Sequence, residues 1–285
     1  MAARPATLPA AVAPVLVGTA VAFRAGHFRP LPFLAALVAA VLIQIGANFA
    51  NDLFDFNKGA DTAQRLGPTR VTQSGLVSPR DVARATALVF GLAMLVGLYL
   101  VLVGGWPILL VGLASIVAAV CYTGGPYPLG YHGLGDIFVF VFFGIVAVSG
   151  TYYVQALSLS LPAVLAAAPM GLLITAILVV NNVRDIDTDR LAGKRTMAVR
   201  MGRRWTRRYY TALVAGSYLF PVILWLLGAA SWLFWLPLLT LPLAYRLVRT
   251  VATREDGPAL NKALKGTGLM QLFFGVLFAL GLLFP

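Results

Sequence analysis

Long apolar runs broken by short polar stretches dominate the chain. They predict nine helices, over 8–23, 31–57, 82–103, 106–123, 134–152, 160–184, 205–228, 231–250 and 264–284. Several approach the roughly 20 apolar residues needed to cross a bilayer. Gly26, Pro30, Gly104-Gly105, Pro162, Gly228 and Gly257-Pro258 mark breaks between them. The run around Gly104-Gly105-Trp106-Pro107 is too long for one crossing and reads as two helices. The pattern predicts an all-α, polytopic membrane protein, with residues 1–285 forming a single domain.

Charge supports that reading. Only 11% of the 285 residues are charged, while 60% are hydrophobic; a soluble domain usually carries about 25% charged residues. Residues 1–22 contain a single charge, Arg4, and no small-residue cleavage site, so they read as the first spanning helix rather than a removed signal. The one cysteine, Cys121, excludes an intrachain disulfide. The net charge of +12 could suggest nucleic acid, but its distribution points to topology. With nine helices, 20 of the 22 Lys and Arg fall on one side, at the N-terminus and in the segments after helices 2, 6 and 8. The positive-inside rule makes that side cytoplasmic, with the C-terminus outside, and no nucleic-acid partner is implied.

Six of the ten acidic residues lie in or just after two similar stretches: Asp52, Asp55 and Asp61, then Asp185, Asp187 and Asp189. The first stretch is Asn48-Phe-Ala-Asn51-Asp52-Leu-Phe-Asp55, and the second is Asn181-Asn182-Val-Arg-Asp185-Ile-Asp187-Thr-Asp189. Both end helices that run toward the cytoplasm. Asn48, Asp52 and Asp55 share one helical face, as do Asn181, Asp185 and Asp189, while Asp187 points elsewhere. Amide and carboxylate oxygens suit a hard cation such as Mg²⁺, which is commonly held by a few carboxylates plus substrate phosphates. Basic residues follow each stretch: Lys58, Arg65 and Arg70, then Lys194 and Arg195. Such cations suit phosphate oxygens. The four-helix offset between the stretches suggests parallel repeats, helices 1–4 and 5–8, with helix 9 added.

The bland alternative is a pair of solvated helix ends, but two similar motifs at one depth weigh against it. A cation-coupled transporter would place carboxylates near mid-membrane, and the helix middles carry none. A CDP-alcohol phosphotransferase would gather its acidic residues in one tighter run. The arginines at 203, 204, 207 and 208 read as topogenic charge on a lipid-facing surface.

These residues resemble the UbiA superfamily of membrane prenyltransferases. Within it, Asn51 to Thr62, Gly67 to Gly75, Tyr122 to Asp136, Gly150 to Gln155 and Asn181 to Asp189 resemble the members that prenylate 1,4-dihydroxy-2-naphthoate for menaquinone. The resemblance implies a UbiA-like bundle with a cytoplasm-facing central cavity. Two Mg²⁺ ions would be held by Asn48, Asp52 and Asp55, and by Asn182, Asp185 and Asp189. The catalytic set would be Asp52, Asp55, Asp185, Asp189 and Lys194. Diphosphate would be bound by Lys58, Arg65, Arg70, Lys194 and Arg195, and the aromatic acceptor by Tyr122, Tyr127 and Asp136. The implied partners are a polyprenyl diphosphate, a dihydroxynaphthoate and membrane lipid. Another acceptor, such as 4-hydroxybenzoate, stays open.

Overall fold

Prolines and small polar residues set where the helices begin. α1 (Pro9–Arg24), α2 (Pro30–Asn57) and α3 (Pro79–Gly104) each carry proline in the first turn, where its missing N–H costs no helical hydrogen bond. Ser78 caps α3 by accepting from the Asp81 amide. The computed structural model describes residues 2–59, 67 and 70–284. Among these, all regular structure is helical, and seven helical segments are long and apolar enough to cross a membrane.

Gly105, at φ 73°, separates α3 from the shorter α4 (Trp106–Cys121), so the expected break between two helices is present. The next traverse is composite: α5 (Gly135–Val139), a π-helical stretch over Phe140–Val146, and α6 (Ala147–Ala156). α7 (Leu161–Leu191) is 31 residues long, about 46 Å at 1.5 Å per residue. It overshoots a hydrocarbon core of roughly 30 Å, which carries its acidic end beyond the apolar layer. α8 (Met197–Ser217) bends at Gly202, and α9 (Leu219–Leu226) continues it past Tyr218. A 3₁₀ stretch over Trp232–Thr240 leads into α10 (Leu241–Thr253), and α11 (Gly257–Leu283) closes the bundle.

Three expected boundaries need correction. The predicted helix over 231–250 is not one α-helix: Pro237 and Pro242 fall in its run, and its first half is 3₁₀. The last helix starts at Gly257 rather than 264, capped by Asp256 on the Ala259 amide. The sixth continues to Leu191 rather than 184. In the last two cases hydropathy marks the apolar layer, whereas backbone hydrogen bonding carries the helix past it.

α7 is the central post. It packs on α1, α8, α11 and the π stretch, and Met170, Leu173, Val180, Tyr210, Leu260 and Phe274 form part of one continuous buried cluster. Gly144 in the π stretch meets Gly171 of α7 closely: a Cβ at 144 would lie 2.6 Å from the Gly171 Cα. Because the obstruction is backbone, Gly144→Ala is expected to destabilise the fold by about 1–3 kcal/mol. Thermal unfolding in detergent checks this, and an unchanged midpoint would show that these helices do not approach so closely.

Candidate active site

α2 and α7 bring their acidic ends to one cavity. Its volume is about 1250 Å³. At its polar end are Asn48, Asn51, Asp55, Asn181, Asn182, Asp185 and Asp189, with Arg70 and Lys194. Its remainder is apolar, lined among others by Val15, Ala36, Leu98, Ile108, Leu113 and Phe142. The two stretches recognised in the sequence therefore face one space, reached from different helices.

Asp55 is the centre of one charge cluster. Its Oδ2 accepts from Arg70 Nη2 at 2.9 Å. Its Oδ1 accepts from the Tyr131 hydroxyl at 2.8 Å and from Lys194 Nζ at 3.2 Å. Lys194 follows α7, so this ion pair ties the second stretch to the first. The Asp55 side chain is 4% exposed and the Arg70 side chain 7%, so little water screens the pair.

Tyr131 links the same parts a second way. Its ring lies 4.6 Å from Lys194 Nζ and 4.9 Å from Lys58 Nζ, close enough for cation–π attraction. Its carbonyl accepts from the Arg195 amide at 2.8 Å. The 122–134 segment is fastened to α2 by Lys58, which donates to the Thr123 carbonyl at 2.7 Å, and by Thr123, which donates to Asn51 at 2.8 Å. This segment lacks Lys and Arg; it contributes Tyr122, Thr123, Gly130 and Tyr131 to the cavity wall and joins the α2 end to the α7–α8 turn. Partial burial, with Lys194 nearby, holds the Lys58 ammonium below the usual lysine range against the pull of Asp55.

Asp185 belongs to a second cluster. Arg184 grips it with both arms of its guanidinium: Nε to Oδ1 at 2.7 Å and Nη2 to Oδ2 at 2.5 Å. The same guanidinium donates to Asn181 at 2.8 Å and to Asn261 of α11 at 2.7 Å. A planar fork with five donors suits this four-way arrangement, whereas an ammonium could not reproduce it. Asp187 points outward and pairs with Arg203 at 2.7 Å, as its helical phase predicts.

Several expected site residues lie off the cavity wall. Asp52 is buried behind it, where its Oδ2 accepts from the Val71 amide at 3.3 Å and its Oδ1 has no donor. Lys58, Arg195, Tyr127 and Asp136 also do not line the cavity. Tyr127 is exposed and stacks on His132 at 3.7 Å, so direct contact with an acceptor ring is not its role in this arrangement. Asp136 is buried in the neighbourhood of Tyr122, with Oδ1 unpartnered. Arg65 and Asp61 lie outside the described residues.

Tyr122 does line the cavity, and two glycines make room for it. A Cβ at Gly130 would come 3.1 Å from its ring, and one at Gly135 would come 2.9 Å from its hydroxyl. Burial, with Asp136, Asp55 and Asp189 nearby, pushes the hydroxyl well above the ordinary phenol range. Tyr122 therefore stays protonated near neutral pH and can donate a hydrogen bond into the cavity.

Three participants were not picked out as site residues from the sequence. Arg184 sits among the basic residues after helix 6, and its place beside Asp185 and three residues after Asn181 is the local signal that marks it. Tyr131 stood among several tyrosines, and nothing local distinguishes it. Asn261 lies 80 residues from Asn181, so only the fold brings the two together.

Among the described residues, no three His, Cys, Asp or Glu side chains are gathered as a ready-made metal site. The donor set still fits a magnesium ion that arrives with a diphosphate. The oxygens are hard, the carboxylates stand beside amide oxygens, and the missing ligands are of the kind phosphate supplies.

A bundle of apolar helices with two acidic helix ends on one largely apolar cavity suits a substrate that joins a lipid chain to an anionic head. The chain matches the UbiA prenyltransferase family over residues 11–283 and belongs to it; it is a prenyltransferase. It is 42% identical over 285 residues to 1,4-dihydroxy-2-naphthoate octaprenyltransferase of Escherichia coli (strain K12), covering 98% of this chain and 92% of that one. It is 33% identical to the protein of the same name from Bacillus subtilis (strain 168), over 98% of this chain and 90% of the other. Among solved structures, a UbiA homolog from Aeropyrum pernix K1 superposes with a TM-score of 0.75 at 15% identity, covering 95% and 97% of the two chains. A UbiA homolog from Archaeoglobus fulgidus, bound to DMAPP and Mg²⁺, gives 0.68 at 15% identity over 98% of each chain.

Proposed function

We propose that this enzyme transfers a polyprenyl group from a polyprenyl diphosphate to 1,4-dihydroxy-2-naphthoate, with loss of CO₂, in menaquinone biosynthesis. The reaction depends on Mg²⁺, with two ions expected. The observation that carries this reading is the shared cavity: two acidic helix ends with cations at its mouth, and apolar walls suited to an isoprenoid chain. The full-length similarity to relatives named for that acceptor supports the particular substrate, and the Archaeoglobus fulgidus homolog bound to DMAPP and Mg²⁺ supports a metal-bound diphosphate.

Asn48 and Asp55 on one side, and Asn182, Asp185 and Asp189 on the other, would hold the metal, while Asp52 stays behind the wall on the Val71 amide. Magnesium, when bound, supplies Lewis acidity toward the leaving diphosphate. Arg70 and Lys194, paired with Asp55, can turn part of their hydrogen-bonding capacity to phosphate oxygens. Lys58 shares the Tyr131 ring with Lys194, Arg195 follows Lys194 in sequence, and Arg65 lies in sequence between Lys58 and Arg70. Tyr131 keeps Lys194 over the mouth. The apolar walls take the isoprenoid chain out of water, which also shields the allylic cation from hydrolysis.

The allylic C–O bond breaks with its electron pair leaving on the diphosphate. The ring carbon that bears the carboxylate forms the new C–C bond. The C–CO₂ bond then breaks, and its pair returns to the ring. Tyr122 can orient the acceptor by donating to one of its oxygens, with Asp136 nearby. The positive-inside rule, applied to the basic segments beside the acidic ends, supports a cavity mouth toward the cytoplasm of a cell membrane, with the N-terminus on that side.

The test is purified protein in detergent with Mg²⁺, a prenyl diphosphate and a panel of aromatic acids. The expected result is prenylated product and CO₂ from dihydroxynaphthoate, abolished by EDTA and restored by Mg²⁺. Product from 4-hydroxybenzoate alone would replace the acceptor but keep the class of reaction. Cation transport without turnover of prenyl diphosphate would refute the reading altogether.

A further inference from the structure

We propose that the arginine groove on α8 is a binding site for the headgroup of an anionic phospholipid, separate from the prenyl-transfer cavity and independent of the acceptor assigned above. Arg203, Arg204, Arg207 and Arg208 line an open groove of about 440 Å³ together with Glu255. At positions i, i+1, i+4 and i+5 they crowd four positive charges onto adjoining turns of one helix.

The protein answers only part of that charge. Arg203 pairs with Asp187 and also donates to the Val183 carbonyl at 3.1 Å. Arg207 donates to the Arg254 carbonyl at 2.7 Å and to Glu255 at 3.2 Å. Arg254 itself pairs with Asp256. The Nε of Arg207 is buried with no acceptor, and a buried donor left unpaired is costly. An anionic oxygen in the groove would satisfy it.

Two features favour a lipid as the source of that anion. Trp205 is 57% exposed on the same turn, with the Arg208 guanidinium 4.7 Å over its ring, and tryptophan is enriched at the headgroup level of membranes. The groove also lies where α8 emerges from its apolar run: Gly202, at φ 76°, breaks the helix, so Arg203 and Arg204 begin a fresh segment whose N-terminal end carries partial positive charge. A phosphodiester with net negative charge matches this surface, whereas a zwitterionic headgroup matches it poorly.

Through Arg203 the groove touches the last turns of α7, the helix that carries Asp185 and Asp189. A bound headgroup would therefore brace the acidic end of that helix.

The test is native mass spectrometry of the full chain in detergent with phosphatidylglycerol or phosphatidylcholine added, and inorganic phosphate as competitor. The expected result is selective retention of phosphatidylglycerol that inorganic phosphate does not displace. Arg204→Gln/Arg207→Gln should weaken retention about tenfold, ~1.4 kcal/mol, while prenyl transfer in detergent without added lipid is unchanged. Should the double variant fail to fold, Arg204→Gln alone, at an exposed position, should still weaken retention. Equal retention of both lipids, or retention unchanged in the variants, would overturn the proposal. Displacement by inorganic phosphate would overturn the lipid as its ligand.

Discussion

Replacing Asp55 by alanine is expected to lower turnover roughly a thousandfold, ~4 kcal/mol of barrier. Asp55 is the cavity carboxylate that Arg70, Lys194 and Tyr131 all address. Its loss removes an oxygen pair proposed to hold the metal and leaves two cations near each other with no anion between them. It also unties the α7–α8 turn from α2, so the unfolding midpoint should fall as well. Asp55→Asn separates the two effects. The amide keeps the shape and an accepting oxygen, so stability should suffer less than in the alanine variant, yet the charge needed for a divalent ion is gone. Single-turnover assays with prenyl diphosphate, alongside detergent unfolding curves, measure both. If Asp55→Asn works within tenfold of the parent, Asp55 has no part in holding the metal–diphosphate unit.

The second large effect belongs to Arg184. Its side chain is 1% exposed and that of Asp185 is 11%. Arg184→Met strands the Asp185 charge and removes the bridge to Asn261, so we expect a loss of about 3–5 kcal/mol in stability. Arg184→Lys should recover little, because one ammonium cannot serve the carboxylate and two amides together. The double variant Arg184→Met/Asp185→Leu should regain most of the stability, since no buried charge is left alone, while turnover stays low. That cycle separates the coupling of the pair from the role of Asp185 in the reaction. Stability unchanged in Arg184→Met would mean that the α7–α11 contact does not depend on this cluster.

The two clusters explain how a cavity with so many charges stays folded before substrate arrives. Asp55 is matched to Arg70 and Lys194, and Asp185 to Arg184. In the proposed reaction, a diphosphate with its metal would exchange one set of counter-charges for another. This is consistent with the absence, among the described residues, of a preassembled three-ligand metal site.

Helical spacing made the acidic stretches legible from the sequence, and their amide and carboxylate chemistry limited what they could bind. Asn48 with Asp55, and Asn181 with Asp185 and Asp189, do share a cavity. Asp52 has the same helical phase but lies behind the wall, occupied by Val71. Phase fixes a direction about the helix axis, whereas access depends on which neighbour packs there. Tyr127 and Tyr131 look equivalent in sequence; only the docked 122–134 segment sends one to Asp55 and the other to the surface. The 3₁₀ stretch at Trp232–Thr240 escaped a hydropathy reading because apolar residues satisfy either helix type.

The amino-acid sequence alone determined the membrane class, the apolar segments and the two acidic helix ends, because these follow from local composition and from the 3.6-residue period. The tertiary structure decided which charges meet. Asp55 with Lys194, Arg184 with Asn261, and the arginine groove with Glu255 join residues far apart in the chain. Their pairing depends on how helices pack in space, and no local pattern encodes that.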